Sequence, residues 1–124
     1  MVYKYVRDEV MNLEINVQPV TDWLDSCIGR TLRITKEEAG DLDKIKLQLD
    51  KVVVAVRNET HPDDYVAEHS ILLQGLGTMY AGKEEEPLPK NVYEIPYDHE
   101  IRKESEGDAV RITTDRAVYR IICE

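Results

Sequence analysis

A chain of 124 residues, 42% apolar and 33% charged, is long enough to bury a core as one domain without metal or disulfide staples. Its net charge of −9, from 25 acidic and 16 basic residues, works against non-specific binding to nucleic acid or an anionic membrane. There is no Phe, so the seven Tyr and Trp23 carry the aromatic burial, and no apolar run approaches a membrane span.

Val2 to Asp8 lacks the apolar stretch of a signal peptide. Cys27 and Cys123 stand far apart, each in apolar surroundings and neither in a CxxC pair. Together these features predict a cytoplasmic protein with two reduced, structural thiols. Leu13, Ile15 and Val17 alternate with Glu14 and Asn16, which predicts a strand over about 10–17, ended by Pro19. A short helix is predicted over 21–28. Thr21 can cap it, Asp22 and Asp25 suit its dipole, and Gly29 can take a left-handed exit. Trp23, Leu24, Cys27 and Ile28 would share the face that docks over the end of a sheet.

Thr31 to Thr35 reads as a strand, and the acidic stretch 36–43 around Gly40 as a turn. The chain is then organised around Ile45 to Arg57. Ile45, Leu47 and Leu49 alternate with Lys46, Gln48 and Asp50, the pattern of a half-buried strand. Val52, Val53, Val54, Ala55 and Val56 follow without alternation, the pattern of a central strand covered on both faces. A replacement at Val54 should therefore meet a fully buried site.

Asn58 to Asp64 is the clearest break. Thr60 with Asp63 resembles a capping box and Pro62 suits a first helical turn, so one short helical turn is predicted near 62–66. Tyr65, Val66, His69, Leu72, Leu73 and Leu76 fit a helical stripe, which makes an α+β fold with a helix at about 62–74 the alternative. Gly75 and Gly77 oppose that helix, because glycine inside a helix costs about 1 kcal/mol. They favour a strand running to about residue 80 that bends at the glycines. Residues 82–90 read as a solvated loop. Asn91 to Tyr97 is extended, and Pro96, which cannot donate to a ladder, means that this strand is on a sheet edge or ends there. Residues 101–104 lead to a turn at 105–108, and 109–114 with 117–123 read as a hairpin. The expected fold is a single mainly β domain over 1–124. Its architecture would be an antiparallel β-barrel or roll with one or two short helices.

Three groups of residues are candidate sites. In the terminal hairpin, a tight turn at Asp115-Arg116 pairs Ile112 with Tyr119 and Val110 with Ile121, the register that burial selects. The same register sets Arg111 beside Arg120, and a turn at Glu106-Gly107 would add Arg102 to a cationic ladder. Such a ladder is either neutralised by neighbouring Glu or docks an anion or an acidic protein partner. Tyr80, Tyr93 and Tyr97 flank the expected curvature and either close the core or line a site for a small apolar ligand. His61 with Asp63, Asp64 and His69, or Asp98-His99-Glu100, have irregular spacing for a metal site. No metal and no cofactor is predicted, since Gly75 and Gly77 lack the full dinucleotide-binding pattern. No catalytic motif such as GxSxG is present, so no catalytic residue is assigned. The favoured function is a non-catalytic interaction or assembly module that forms a homo-oligomer through an edge such as Asn91–Tyr97. A ligand-binding barrel is the next alternative, and a hydrolase or metal-dependent enzyme the third.

Overall fold

The computed structural model describes residues 3–5, 16–57, 69–81 and 83–124. In chain order their elements are β1 (Tyr3–Tyr5), α1 (Gln18–Asp25), β2 (Thr31–Glu38), β3 (Asp41–Gln48), β4 (Lys51–Arg57), β5 (His69–Gln74) and β6 (Gly77–Ala81). These are followed by β7 (Glu84–Pro87), a short 3-10 turn at Pro89–Asn91, β8 (Val92–Tyr97), β9 (Ile101–Glu106), β10 (Ala109–Thr114) and β11 (Val118–Cys123). The structure is mainly β, and every strand pairing is antiparallel. One sheet has the order β1-β4-β5-β8 and the other β7-β6-β3-β2-β11-β10-β9.

Three of the connections that carry the chain from one sheet into the other lie side by side. β3 becomes β4 through Leu49 and Asp50, β5 becomes β6 through Gly75 and Leu76, and β7 becomes β8 through residues 88–91. Backbone hydrogen bonds run across these bends: Gln48 N–H to Leu76 O (2.8 Å), Asp50 N–H to Gln74 O (2.8 Å) and Gly75 N–H to Asn91 O (2.9 Å). Glycine is required here because the chains pass so closely. A Cβ on Gly75 would lie 1.8 Å from the carbonyl oxygen of Gln48, and one on Gly77 2.5 Å from that of Lys46. Gly75 and Gly77 thus mark a bent strand, as their spacing predicts.

The two sheets share one apolar cluster. The larger contributes Leu32, Ile34, Ile45, Leu47, Ile112 and Ile121; the smaller contributes Ile71, Leu73, Tyr93, Ile95 and Tyr97. Each such fully buried aliphatic side chain is worth roughly 2–3 kcal/mol in transfer from water. In β4 both faces are covered: Val52 and Val54 on one, Val53 and Ala55 on the other, all buried. Val54 is 3% exposed, and β4 lies between β1 and β5, so the valine run is the central strand its pattern predicts. Val110, Ile112, Tyr119 and Ile121 are all buried in the predicted hairpin register.

Several expectations change. Among the described residues no closed barrel is found: β7 and β9 end the larger sheet without pairing to each other. The segment Ile45–Arg57 is two strands rather than one, because the chain changes sheet at Leu49-Asp50. The expected turn over 36–43 shrinks to Ala39-Gly40, both with positive φ (50° and 86°), a two-residue hairpin turn whose twist suits the flanking strands. The acidic residues on either side stay in the ladder. Helix α1 starts at Gln18, not Thr21. Pro19 lies in its first turn, where the missing N–H costs nothing, so it opens the helix instead of closing a strand. Val17 is its N-cap, and Ile28 is exposed rather than docked. Val20, Leu24 and Cys27 are buried, and α1 packs against β4 and β9. Residues 69–74 are strand, which removes the helical alternative there; of the strand predicted over 10–17, residues 16–17 are not strand, and 10–15, like 62–68, lie outside the described residues. Within the expected loop 82–90, Glu84–Pro87 pairs with β6 as an edge strand with every side chain exposed. Charge and proline on an edge discourage further pairing.

Candidate interaction site

The larger sheet has one face in the core and one in water, because its strands alternate. On the wet face a row of cross-strand neighbours runs Glu104, Arg111, Arg120, Thr35, Lys44, Tyr80. Arg33 and Lys46 form part of a parallel row. Arg102 shares this face, but the hairpin turn is Gly107-Asp108, so Arg102 lies opposite Thr113 and not beside Arg111. Arg33, Lys44, Lys46, Arg102, Arg111 and Arg120 are thus gathered on one face of a chain whose net charge is −9.

The arginines are matched by carboxylates. Arg111 pairs with Glu104 (2.8 Å) and Glu106 (3.5 Å), and Arg120 with Glu106 (3.2 Å). Arg102 reaches Glu100 (3.5 Å) and Glu104 (3.9 Å), and Arg33 reaches Glu124 (2.8 Å). The hydrogen bond and charge of Arg111 hold the Glu104 carboxyl below the usual carboxylate range. These contacts relieve the like-charge pair Arg111–Arg120. Among the described residues no ion pair is formed by Lys44 or Lys46. Beside them, Leu42 is 55% exposed and Tyr80 half-buried. Sequence reasoning missed these lysines; their signal was the polar phase of the alternation in Asp41–Gln48.

The three candidate tyrosines separate. Tyr80 is on the wet face, where its hydroxyl oxygen accepts from Thr78 Oγ1 at 3.3 Å. Tyr93 and Tyr97 point into the core from β8. His69 stacks on Tyr97 with ring centroids 5.0 Å apart, and Tyr93 meets Tyr119 edge to face at 6.4 Å. The hydroxyls of Tyr93 and Tyr119 are buried and have no hydrogen-bond partner among the described residues. Burial pushes both upward in pKa, and lifts Tyr97 to about 12.

Asp98 and His99 take part in a turn. The Asp115 carboxylate accepts the backbone N–H of Asp98 (2.9 Å) and of His99 (2.8 Å), while Arg116 Nε donates to Asp98 (2.8 Å). The turn after β8 is thereby tied to the turn between β10 and β11. Desolvation raises the Asp115 pKa, but these backbone donors outweigh it and the net shift is downward. His61, Asp63 and Asp64 lie outside the described residues, among which no three His, Cys, Asp or Glu converge as a metal site.

Edges are the remaining feature. β7 carries Glu84, Glu85 and Glu86, and β9 carries Arg102, Lys103, Glu104 and Glu106. β8 ends the four-stranded sheet with Val92, Glu94 and Pro96 on the face away from the core, and Glu94 is its one charged residue. Pro96 lies on an edge, as its missing donor requires. Behind this edge the Ser70 hydroxyl, fully buried, donates to the Glu94 carboxylate. A surface depression of about 340 Å³ lies over the strand bends between Asp50, Gln74, Leu76, Lys90 and Asn91.

A family model described as YmzB-like protein matches residues 13–124. A relative from Bacillus subtilis (strain 168), described as the uncharacterized protein YmzB, is 44% identical over 108 residues, covering 82% of this chain and 90% of the relative. No solved structure matches the chain. No helix among the described residues is long and apolar enough to cross a membrane.

Proposed function

The chain belongs to the YmzB-like family, and from that premise we propose that it is a non-catalytic interaction module that self-associates through the edge of β8. The observation that carries this reading is the contrast between edges. Charged residues blunt β7 and β9, whereas β8 has one carboxylate, and that carboxylate is engaged by Ser70. An edge with so little charge offers its backbone N–H and C=O groups, short of the one donor that Pro96 lacks, to another strand. A second copy pairing along β8 would extend the four-stranded sheet across a two-fold axis. Because each copy carries −9, added salt should strengthen such a dimer by screening repulsion.

A second reading rests on Lys44 and Lys46. They and the exposed Leu42 beside them suit an acidic protein partner on the wet face of the larger sheet. Added salt should weaken that complex. Size-exclusion chromatography with light scattering, over a wide range of concentration and salt, separates the two. A dimer that tightens with salt and is lost in Val92→Lys, with the melting temperature kept, supports edge pairing. A monomer at every concentration and salt rejects it.

A further inference from the structure

Cys27 and Cys123 are 96 residues apart in sequence and adjacent in space. Cys27 follows α1, in the turn that leads to β2, and Cys123 is the last residue of β11, opposite Leu32 of β2. The backbone around them is pinned. Arg30 N–H donates to Cys27 O (3.0 Å), and the Arg30 guanidinium donates to the carbonyl oxygens of Glu124 (3.0 Å) and Cys123 (3.5 Å). Glu124 N–H donates to Thr31 O at 2.8 Å, and Gly29 N–H to Leu49 O at 2.7 Å. Within this frame the two thiols are neighbours, Cys123 being close enough to act on the Cys27 thiol, and both side chains pack in the same apolar cluster. Both are free, Cys27 at 2% exposure and Cys123 half-buried. A structural role in packing asks for no such juxtaposition, whereas a disulfide requires two sulfurs brought together on backbones that already approach.

We propose that Cys27 and Cys123 are a disulfide-forming pair, oxidised by a low-molecular-weight disulfide to an intramolecular bond that ties the turn after α1 to β11. Exposure sets the order of steps. The Cys123 thiolate attacks the external disulfide, forming a mixed disulfide and releasing one thiolate. Cys27 then loses its proton and attacks the Cys123 sulfur. The S–S bond between the two cysteines forms, the mixed disulfide breaks, and the second external thiol departs with that proton. Two protein thiols and one external disulfide give one protein disulfide and two external thiols, so electrons and protons balance. Burial, then the neighbouring Cys123 thiol, push the Cys27 pKa up to about 12, so the second step is the slower and quickens with pH.

The pair is tested by treating the native protein with oxidised glutathione, quenching in acid and measuring intact mass and thiol-blocked peptides. The expected product has lost two hydrogens and joins the peptides containing Cys27 and Cys123, and dithiothreitol reverses it. Cys27→Ser should stop at a glutathione adduct on Cys123, and Cys123→Ser should react at least tenfold more slowly. Closing so long a loop should raise the melting temperature by about 5–10 °C, a gain lost on reduction. The rate should be unchanged by urea below the unfolding transition. A wild-type protein that stops at the adduct, crosslinks between copies, or closes only once unfolded would overturn the proposal.

Discussion

β3 and β4 are consecutive strands of one chain, yet they live in different surroundings. In β3 one set of side chains, Ile45 and Leu47, is buried and the other, Lys44, Lys46 and Gln48, is exposed. In β4 both sets are buried. The crossover at Leu49-Asp50 moves the chain from a sheet wet on one face into a strand covered on both. Tolerance to substitution therefore depends less on distance along the chain than on which side of this crossover a residue lies.

The largest effect should come from placing a charge in the doubly covered strand. Val54→Asp buries a carboxylate without a partner, and such a group must stay neutral or unfold the protein. The expected outcome is an insoluble or unfolded protein. Lys46→Asp, across the crossover and on the wet face, should shift stability by no more than about 0.5 kcal/mol. Denaturant melts of the two variants measure the contrast, and equal, mild effects would abolish it.

A smaller but clear loss is expected at the crossover itself. Gly75→Ala would place a methyl 1.8 Å from the Gln48 carbonyl oxygen, so the backbone of one bend must move. A destabilisation of about 2–4 kcal/mol is expected, as for overpacking against unyielding atoms. An urea midpoint equal to wild type would mean that the two bends are not tightly apposed.

The smallest effect belongs to the exposed turns at the other end of β8. The folded-state pKa of Asp115 is depressed, so its contribution is complete above the unfolded value of about 3.9 and fades as pH falls through the folded value. Asp115→Asn should therefore lower the melting temperature slightly at pH 7, and flatten its fall between about pH 4 and pH 2. Thermal scans over that range test it, and a variant as acid-sensitive as wild type would remove Asp115 from the account.

Much of this contrast is legible in the residues. IKLQL alternates and VVVAV does not, because one strand meets water on one face and the other on neither. The terminal hairpin register was legible for the same reason: a one-residue slip would turn the apolar set of one strand, Ile112 or Ile121 included, to the wet face. The change of sheet at Leu49-Asp50 was not legible, since both sides of it favour extended backbone. Closure of the expected barrel or roll was not legible, because local alternation does not say whether the first and last strands of a sheet meet. In the candidate site, Arg111 beside Arg120 follows from the hairpin, but Arg102 was misplaced by a turn that falls at Gly107-Asp108, one residue later than expected. Lys44 and Lys46 stand out only once Glu104, Glu106 and Glu124 are seen to occupy the arginines. The meeting of Cys27 and Cys123 depends on a tertiary fold that no local pattern encodes.

The three bends have a further consequence for how the molecule comes apart. β3–β4, β5–β6 and β7–β8 each belong to both sheets, so neither sheet can shed its pairing without pulling on strands that complete the other. Loss of structure should then be a single cooperative event, with amides of Ile45 and Ile71 exchanging through one global opening although they sit in different sheets.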